Sequence, residues 1–138
     1  MVCVIAAGCG GRNGSGASGP YTGAQPAFSQ TDLVVGTGTR AARTARITVN
    51  YTGWVYDPDT PDHKGAQFDT SVGRAPFTFT LGAGEVIDGW DNGFNDMRVG
   101  GKRRLIIPAN QGYGAQGGGT SIPPNAPLVF EMELLDVK

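Results

Sequence analysis

The 138-residue sequence predicts one α+β domain, an antiparallel, twisted β-sheet wrapped around one short α-helix. Three observations carry that expectation. Four segments alternate apolar and polar residues with period two, one segment between them repeats with helical period, and the first 28 residues have almost nothing to bury. The domain is therefore assigned to 29–138, and 1–28 to an apolar stub followed by a flexible tether.

The elements follow in chain order. Seven of the 23 glycines fall between Gly8 and Gly23, in a Gly/Ser-rich stretch that cannot repay the entropy of ordering it. It contains Gly14-x-Gly16-x-x-Gly19, but no strand precedes that spacing and no helix follows it, so it reads as linker rather than nucleotide loop. Ile47, Val49 and Tyr51 alternate with Thr48, Asn50 and Thr52 as a half-buried strand. Phe77, Phe79 and Leu81 repeat the pattern between Pro76 and Gly82. Val86, Trp90, Phe94 and Met97 recur at spacings of four, four and three, which predicts an amphipathic helix of about three turns. Gly89 and Gly93 each cost that helix roughly 1 kcal/mol against alanine. Packing must hold it, or something must approach its backbone closely. Leu105 and Ile107 form a strand that stops at Pro108, and Leu128, Phe130, Met132 and Leu134 form the last one.

Composition excludes several functions. The apolar fraction of 39% suffices for a core, and the formal charge of −1 offers no basic surplus for nucleic acid. Only part of Lys102-Arg103-Arg104 can share one face of a strand. No apolar run approaches the roughly 18 residues that span a bilayer. Cys3 and Cys9 both precede the domain, so it has no disulfide or thiol nucleophile of its own. His63 completes no catalytic triad. The loop from Asp57 to His63 gathers possible metal ligands, yet Asp62 stands where a calcium loop requires glycine and Phe68 where it requires glutamate. It reads as a charged surface turn, and no metal or cofactor is expected.

The run Val2 to Gly8 is apolar and small and ends at Cys9, and the small residues there resemble a bacterial lipobox. No basic residue precedes the run, and it is short for a signal. Two expectations stand: a lipid anchor on Cys9 with a cell-envelope or periplasmic location, or a chance match and a cytoplasmic one.

Aromatic residues are abundant and come from every element. Their order and neighbours resemble those of FKBP-type peptidyl-prolyl cis–trans isomerases from residue 45 to the end. The runs are Val49-Asn-Tyr51-Thr-Gly53, Gln67-Phe68-Asp69-Thr-Ser71, Pro76-Phe77-Thr-Phe79, Leu81-Gly82 and Glu85-Val86-Ile87-Asp-Gly89-Trp90. They continue with Met97-Arg-Val99-Gly100, Tyr113-Gly114-Ala115, Ile122-Pro123-Pro124-Asn-Ala126 and Leu128-Val-Phe130-Glu-Met-Glu-Leu134-Leu135. Nine segments in order are specific where any one alone is not.

The resemblance implies an FKBP-like fold and an isomerase acting on X–Pro bonds of polypeptides, so assisting their folding. It implies a pocket of Tyr51, Phe68, Asp69, Phe77, Val86, Ile87, Trp90, Tyr113, Ile122 and Phe130. Trp90 would be its floor, and Tyr51, Phe68, Phe77 and Phe130 its walls. The Ile87 N–H and the Tyr113 hydroxyl would donate to substrate carbonyls, and Asp69 would be the carboxylate at the rim. Asp69, Tyr113, Trp90, Phe68 and Ile87 are the implied catalytic set. Partners implied are proline-containing polypeptides and macrolides of the FK506 and rapamycin type, with the protein a monomer. Ser121 stands where the family commonly has a larger apolar residue, which implies weaker macrolide binding. The alternative is a non-catalytic peptide-binding or chaperone module of the same fold.

Overall fold

The computed structural model describes residues 21, 23–118 and 122–138; Cys9 and Ser121 lie outside them. Six strands form one antiparallel sheet: β1 (Ser29–Val34), β2 (Arg46–Tyr56), β3 (Lys64–Thr70), β4 (Phe77–Thr80), β5 (Lys102–Ile107) and β6 (Leu128–Val137). Their order is β1-β5-β6-β2-β3, with β4 also paired to β2. The long β2 organises this arrangement. It pairs with β6 from Ile47 to Val55, while its other side takes β4 at Arg46–Val49 and β3 from Thr52 onward. Its alternating pattern puts Ile47, Val49, Tyr51 and Gly53 inward, as the sequence predicts.

One helix, α1 (Asp88–Gly93), packs on the inner face. It is half the length that the periodicity predicts. Ile87 before it is extended, at φ −61° and ψ 152°. At the other end the Gly93 carbonyl, which a continuing helix would offer to Met97, is taken by Arg103 Nη1 at 2.8 Å. The Met97 N–H bonds Phe94 O instead. Phe94 and Met97 nevertheless stay buried, because the turn that follows keeps them on the same side.

The two helix glycines are explained by close approach. A Cβ on Gly89 would lie 2.6 Å from Ile107 Cδ1, and one on Gly93 would collide with Leu105. Removing both side chains lets β5 press its own against the helix backbone. Asp91 then ties the helix to the preceding turn by accepting the Gly82 and Gly84 N–H groups at 2.8 and 3.1 Å.

Two strands escape the sequence reading for different reasons. All six β1 side chains are exposed, so no alternation marks it. In β3, Gly53 and Trp54 of β2 stand opposite Asp69 and Gln67, so Phe68 is an extra residue in a bulge. Two neighbours, Phe68 and Asp69, are consequently both buried. Period two is broken where the site is built.

The tether expected over 1–28 is in part docked. Tyr21 and Phe28 pack against the core, and the Tyr21 N–H bonds Pro124 O. Gln25 donates to Asn125 O and accepts from the Ala109 N–H, both at 2.9 Å. A tyrosine, a phenylalanine and one bifunctional amide suffice to hold the last residues of this glycine-rich stretch.

On the solvent face, Glu131 of β6 receives Lys64 at 2.7 Å and Arg104 at 3.0 Å, and Lys64 lies 4.3 Å over the Trp54 ring. Burial pushes the Glu131 carboxyl up, but hydrogen bonds and charge from Lys64 and Arg104 outweigh it and hold the group below the ordinary glutamate range. A lowered folded-state pKa stabilises the fold fully above the ordinary glutamate value, and that contribution disappears as pH falls through the lowered one. Denaturant titrations from about pH 6 to about pH 3 should therefore show wild type losing more stability than Glu131→Gln. A second expectation concerns the helix. Helix propensity alone says that Gly93→Ala stabilises. Collision with Leu105 predicts a loss of about 1–3 kcal/mol in the same titrations.

Candidate functional site

The inner face of β2 starts the site. Tyr51 and Gly53 point toward α1, β6 brings Phe130 opposite Gly53, and β3 brings Asp69 to its other side. Gly53 is bare because two rings meet above it: a Cβ there would lie 2.6 Å from Phe68 Cζ and 2.7 Å from Phe130 Cε1. Those rings cross edge to face with centroids 5.5 Å apart.

Trp90 is the hub of this cluster and has no exposed surface. Its ring lies 5.0 Å from Tyr51, 5.3 Å from Phe130, 5.7 Å from Phe79 and Phe94, and 6.0 Å from Phe77. The contacts are T-shaped except with Phe79, which is tilted. Trp90 Nε1 is buried without a hydrogen-bond partner among the described residues. An unpaired donor costs about 1–3 kcal/mol, so the surrounding rings must outweigh it. Apart from that one N–H, the floor is apolar.

The polar part stands at one edge. Asp69 has a fully buried side chain, and its Oδ2 accepts from the Tyr51 hydroxyl at 2.7 Å. Its Oδ1 accepts from Arg74 Nη2 at 3.0 Å and from the Thr70 N–H at 2.9 Å. The cation itself is half exposed, so the ion pair reaches from solvent into the cluster. Ser71 secures the tyrosine from behind: its hydroxyl accepts the Tyr51 N–H and donates to Asn50 Oδ1, both at 2.9 Å.

The remaining members come from loops. Val86 and Ile87 are buried in the same core cluster, and the Ile87 N–H takes no backbone partner among the described residues. Ile122 is buried, and Tyr113 packs partly buried against the cluster. Gly118 sits between them, since a Cβ there would meet Ile122 Cδ1 at 3.1 Å and Tyr113 Cδ1 at 3.4 Å. Gly118 and Ile122 exchange backbone hydrogen bonds at 3.0 and 3.1 Å, and Gly117 turns with φ +70°. These two glycines are therefore fixed by geometry, not merely permissive.

Of the ten residues that the resemblance assigns to the pocket, nine belong to one hydrophobic cluster and the tenth, Asp69, is bonded to it through Tyr51. Phe77 is partly exposed at its margin, stacked on Phe79 at 5.7 Å. Sequence reasoning missed Gly53, Arg74, Ser71 and Asp91 as parts of the site. Only Gly53 left a signal, as a small residue inside a strand pattern. Nothing in spacing marks Arg74 as the partner of Asp69.

The Asp57–His63 loop is a closed turn. His63 stacks on Tyr56 at 5.0 Å, and the Asp57 N–H bonds His63 O. Among the described residues no group of three His, Cys, Asp or Glu is placed to hold a metal. A groove of about 150 Å³ runs elsewhere on the sheet, past Leu33, Val72 and Lys102; of the ten cluster residues, Tyr51 alone lines it.

An antiparallel domain with one α-helix here sets a tryptophan-centred aromatic cluster beside a buried, paired carboxylate, a small apolar surface with polar groups at its edge. Comparison with known proteins makes the class specific. A family model for FKBP-type peptidyl-prolyl cis–trans isomerases matches residues 38–135. The chain is 51% identical over 107 residues to the FK506-binding protein of Neisseria meningitidis serogroup A, covering 77% of this chain and 92% of that one. It is 50% identical over 93 residues to FK506-binding protein 1B of Aspergillus fumigatus, covering 67% and 78%. Among solved structures it is similar to a peptidyl-prolyl cis–trans isomerase of Pseudomonas syringae pv. tomato, with TM-score 0.65, 40% identity, and 80% and 75% of the two chains covered. AtFKBP13 gives TM-score 0.68 at 35% identity, covering 80% and 93%. The chain belongs to the FKBP-type peptidyl-prolyl cis–trans isomerase family.

Asp69 tests the polar edge. Asp69→Ala strips the Tyr51 hydroxyl and the Thr70 N–H of their acceptor, and should cost about 1–3 kcal/mol of folding stability in urea titrations. Arg74→Ala, which leaves the buried Asp69 carboxylate without its counter-ion, should also destabilise, by about 1–3 kcal/mol in the same titrations.

Proposed function

We propose that the aromatic cluster is the isomerase site, and that it turns X–Pro bonds of client polypeptides by desolvating and holding the twisted amide. The observation that carries this reading is the pairing of Asp69 with Tyr51 at the edge of a floor formed by Trp90.

Rotation about an X–Pro bond is slow because amide resonance sets a barrier of about 18–20 kcal/mol. In the twisted state the nitrogen lone pair is no longer conjugated, and the carbonyl is less polar. Water stabilises the planar amide more than the twisted one, so an apolar enclosure raises the ground state relative to the transition state. Trp90 stacks under the proline ring in this reading, and Phe68, Phe77 and Phe130 exclude water from its sides. The Ile87 N–H and the Tyr113 hydroxyl hold the carbonyls that flank the rotating bond. Asp69, paired with Arg74 and oriented by Tyr51, faces the rotating amide. No covalent step is involved, and each 1.4 kcal/mol of differential stabilisation is worth about tenfold in rate. FK506, which the names of the Neisseria and Aspergillus relatives carry, and macrolides like it are proposed to occupy the same cluster.

A protease-coupled isomerisation assay on short X-Pro peptides decides between enzyme and binding module. The expected result is a rate well above buffer that falls about tenfold in Tyr113→Phe, which removes one donor and little apolar area. A wild-type rate equal to buffer would leave a peptide-binding module. Trp90→Ala should abolish the rate and cost roughly 3–5 kcal/mol of stability, measured in parallel by denaturation.

A further inference from the structure

Strand β1 presents a puzzle. It buries none of its six side chains, yet it stays paired with β5 along its length. What it contributes inward is one charge. Asp32 lies directly opposite Arg103 in the register, and its Oδ1 accepts from Arg103 Nε at 2.7 Å. Arg103 is only 5% exposed, the one buried cation among the described residues. It reaches past the sheet to the end of α1, where Nη1 donates to Gly93 O at 2.8 Å and to Asn95 O at 2.9 Å.

That helix needs outside support. It has six residues, carries no basic side chain in its last turn, and lacks a side-chain cap at its start. A helix this short has no stability of its own, and its final carbonyls require donors. Arg103 supplies both the donors and the positive charge that favours a helix C-terminus, from a neighbouring strand. Without Asp32 the guanidinium would be a buried charge with no counter-ion.

We propose that Arg103 is a positioning residue for the isomerase site: with Asp32 it fixes the end of the helix that carries Trp90, and so sets the height of the pocket floor beneath Tyr51 and Phe130. This rests on the reading of the cluster given above. Its sign is testable because displacement of the floor moves the indole as well as the rate.

The chain has two tryptophans, so in ¹⁵N-labelled Trp54→Phe protein a single indole N–H resonance reports Trp90. In that background Asp32→Asn and Arg103→Met should both shift the resonance. They should lower kcat/KM for X-Pro peptides by about threefold and about tenfold, as misplacement of a binding surface does. Arg103→Lys keeps a donor for the Gly93 and Asn95 carbonyls and should recover part of the methionine loss. A folded Asp32→Asn protein with the parent's indole shift and rate overturns the proposal. If Arg103→Met does not fold, Asp32→Asn and Arg103→Lys still decide. A parent protein with no isomerase rate would defeat the functional reading, while the indole shifts would continue to report on positioning.

Discussion

The structure depends on how closely one short helix lies against β5. At Gly89 and Gly93 the helix has no side chains toward the sheet, and Ile107 and Leu105 occupy the space. That contact sets the depth of the helix, and everything on its other side takes its position from it. Trp90 meets five rings because the helix backbone is this deep and no deeper. Propensity is given up for proximity: two glycines weaken the helix locally, and the packing they allow, together with Asp91 and Arg103 at its ends, holds it.

A second constraint is the placement of a carboxylate among rings. A strand of strict alternation would point Phe68 and Asp69 to opposite faces. The bulge at Phe68 lets both turn inward, and Gly53 opposite leaves room for them. Asp69 is then paid for by four partners' geometry: Tyr51, Thr70 and Arg74 directly, and Ser71 by fixing Tyr51. The result is a floor without usable polarity beside an edge that is fully hydrogen-bonded.

Much of this was legible in the residues. Alternation marked β2, β4, β5 and β6, and the four-four-three spacing found the buried face that contains Trp90. The glycines in that face left two readings open, support from packing or close approach to the backbone, and the matching runs named residues that the fold brings together. What escaped did so for physical reasons. Strand β1 is wholly exposed, so hydrophobic periodicity has nothing to report. Strand β3 breaks period two at the bulge, where the site needs it broken. The helix ends early, with Asp96 turning into the left-handed region at φ +66° and Arg103 bonding the Gly93 carbonyl, and hydrophobic spacing reports neither. Long-range pairs such as Asp32 with Arg103 or Gln25 with Asn125 leave no trace in spacing.

The docking of Tyr21, Gln25 and Phe28 has a mechanical side. Gln25 and Tyr21 hold the domain at Ala109, Pro124 and Asn125, and those three attachment points bracket the loop that bears Tyr113 and Ile122. Anything that pulls on the chain ahead of Tyr21 is therefore resisted first by that loop, before the load reaches the sheet. The docked segment and the loop of Tyr113 and Ile122 share their fastenings, so tension along one is delivered to the other.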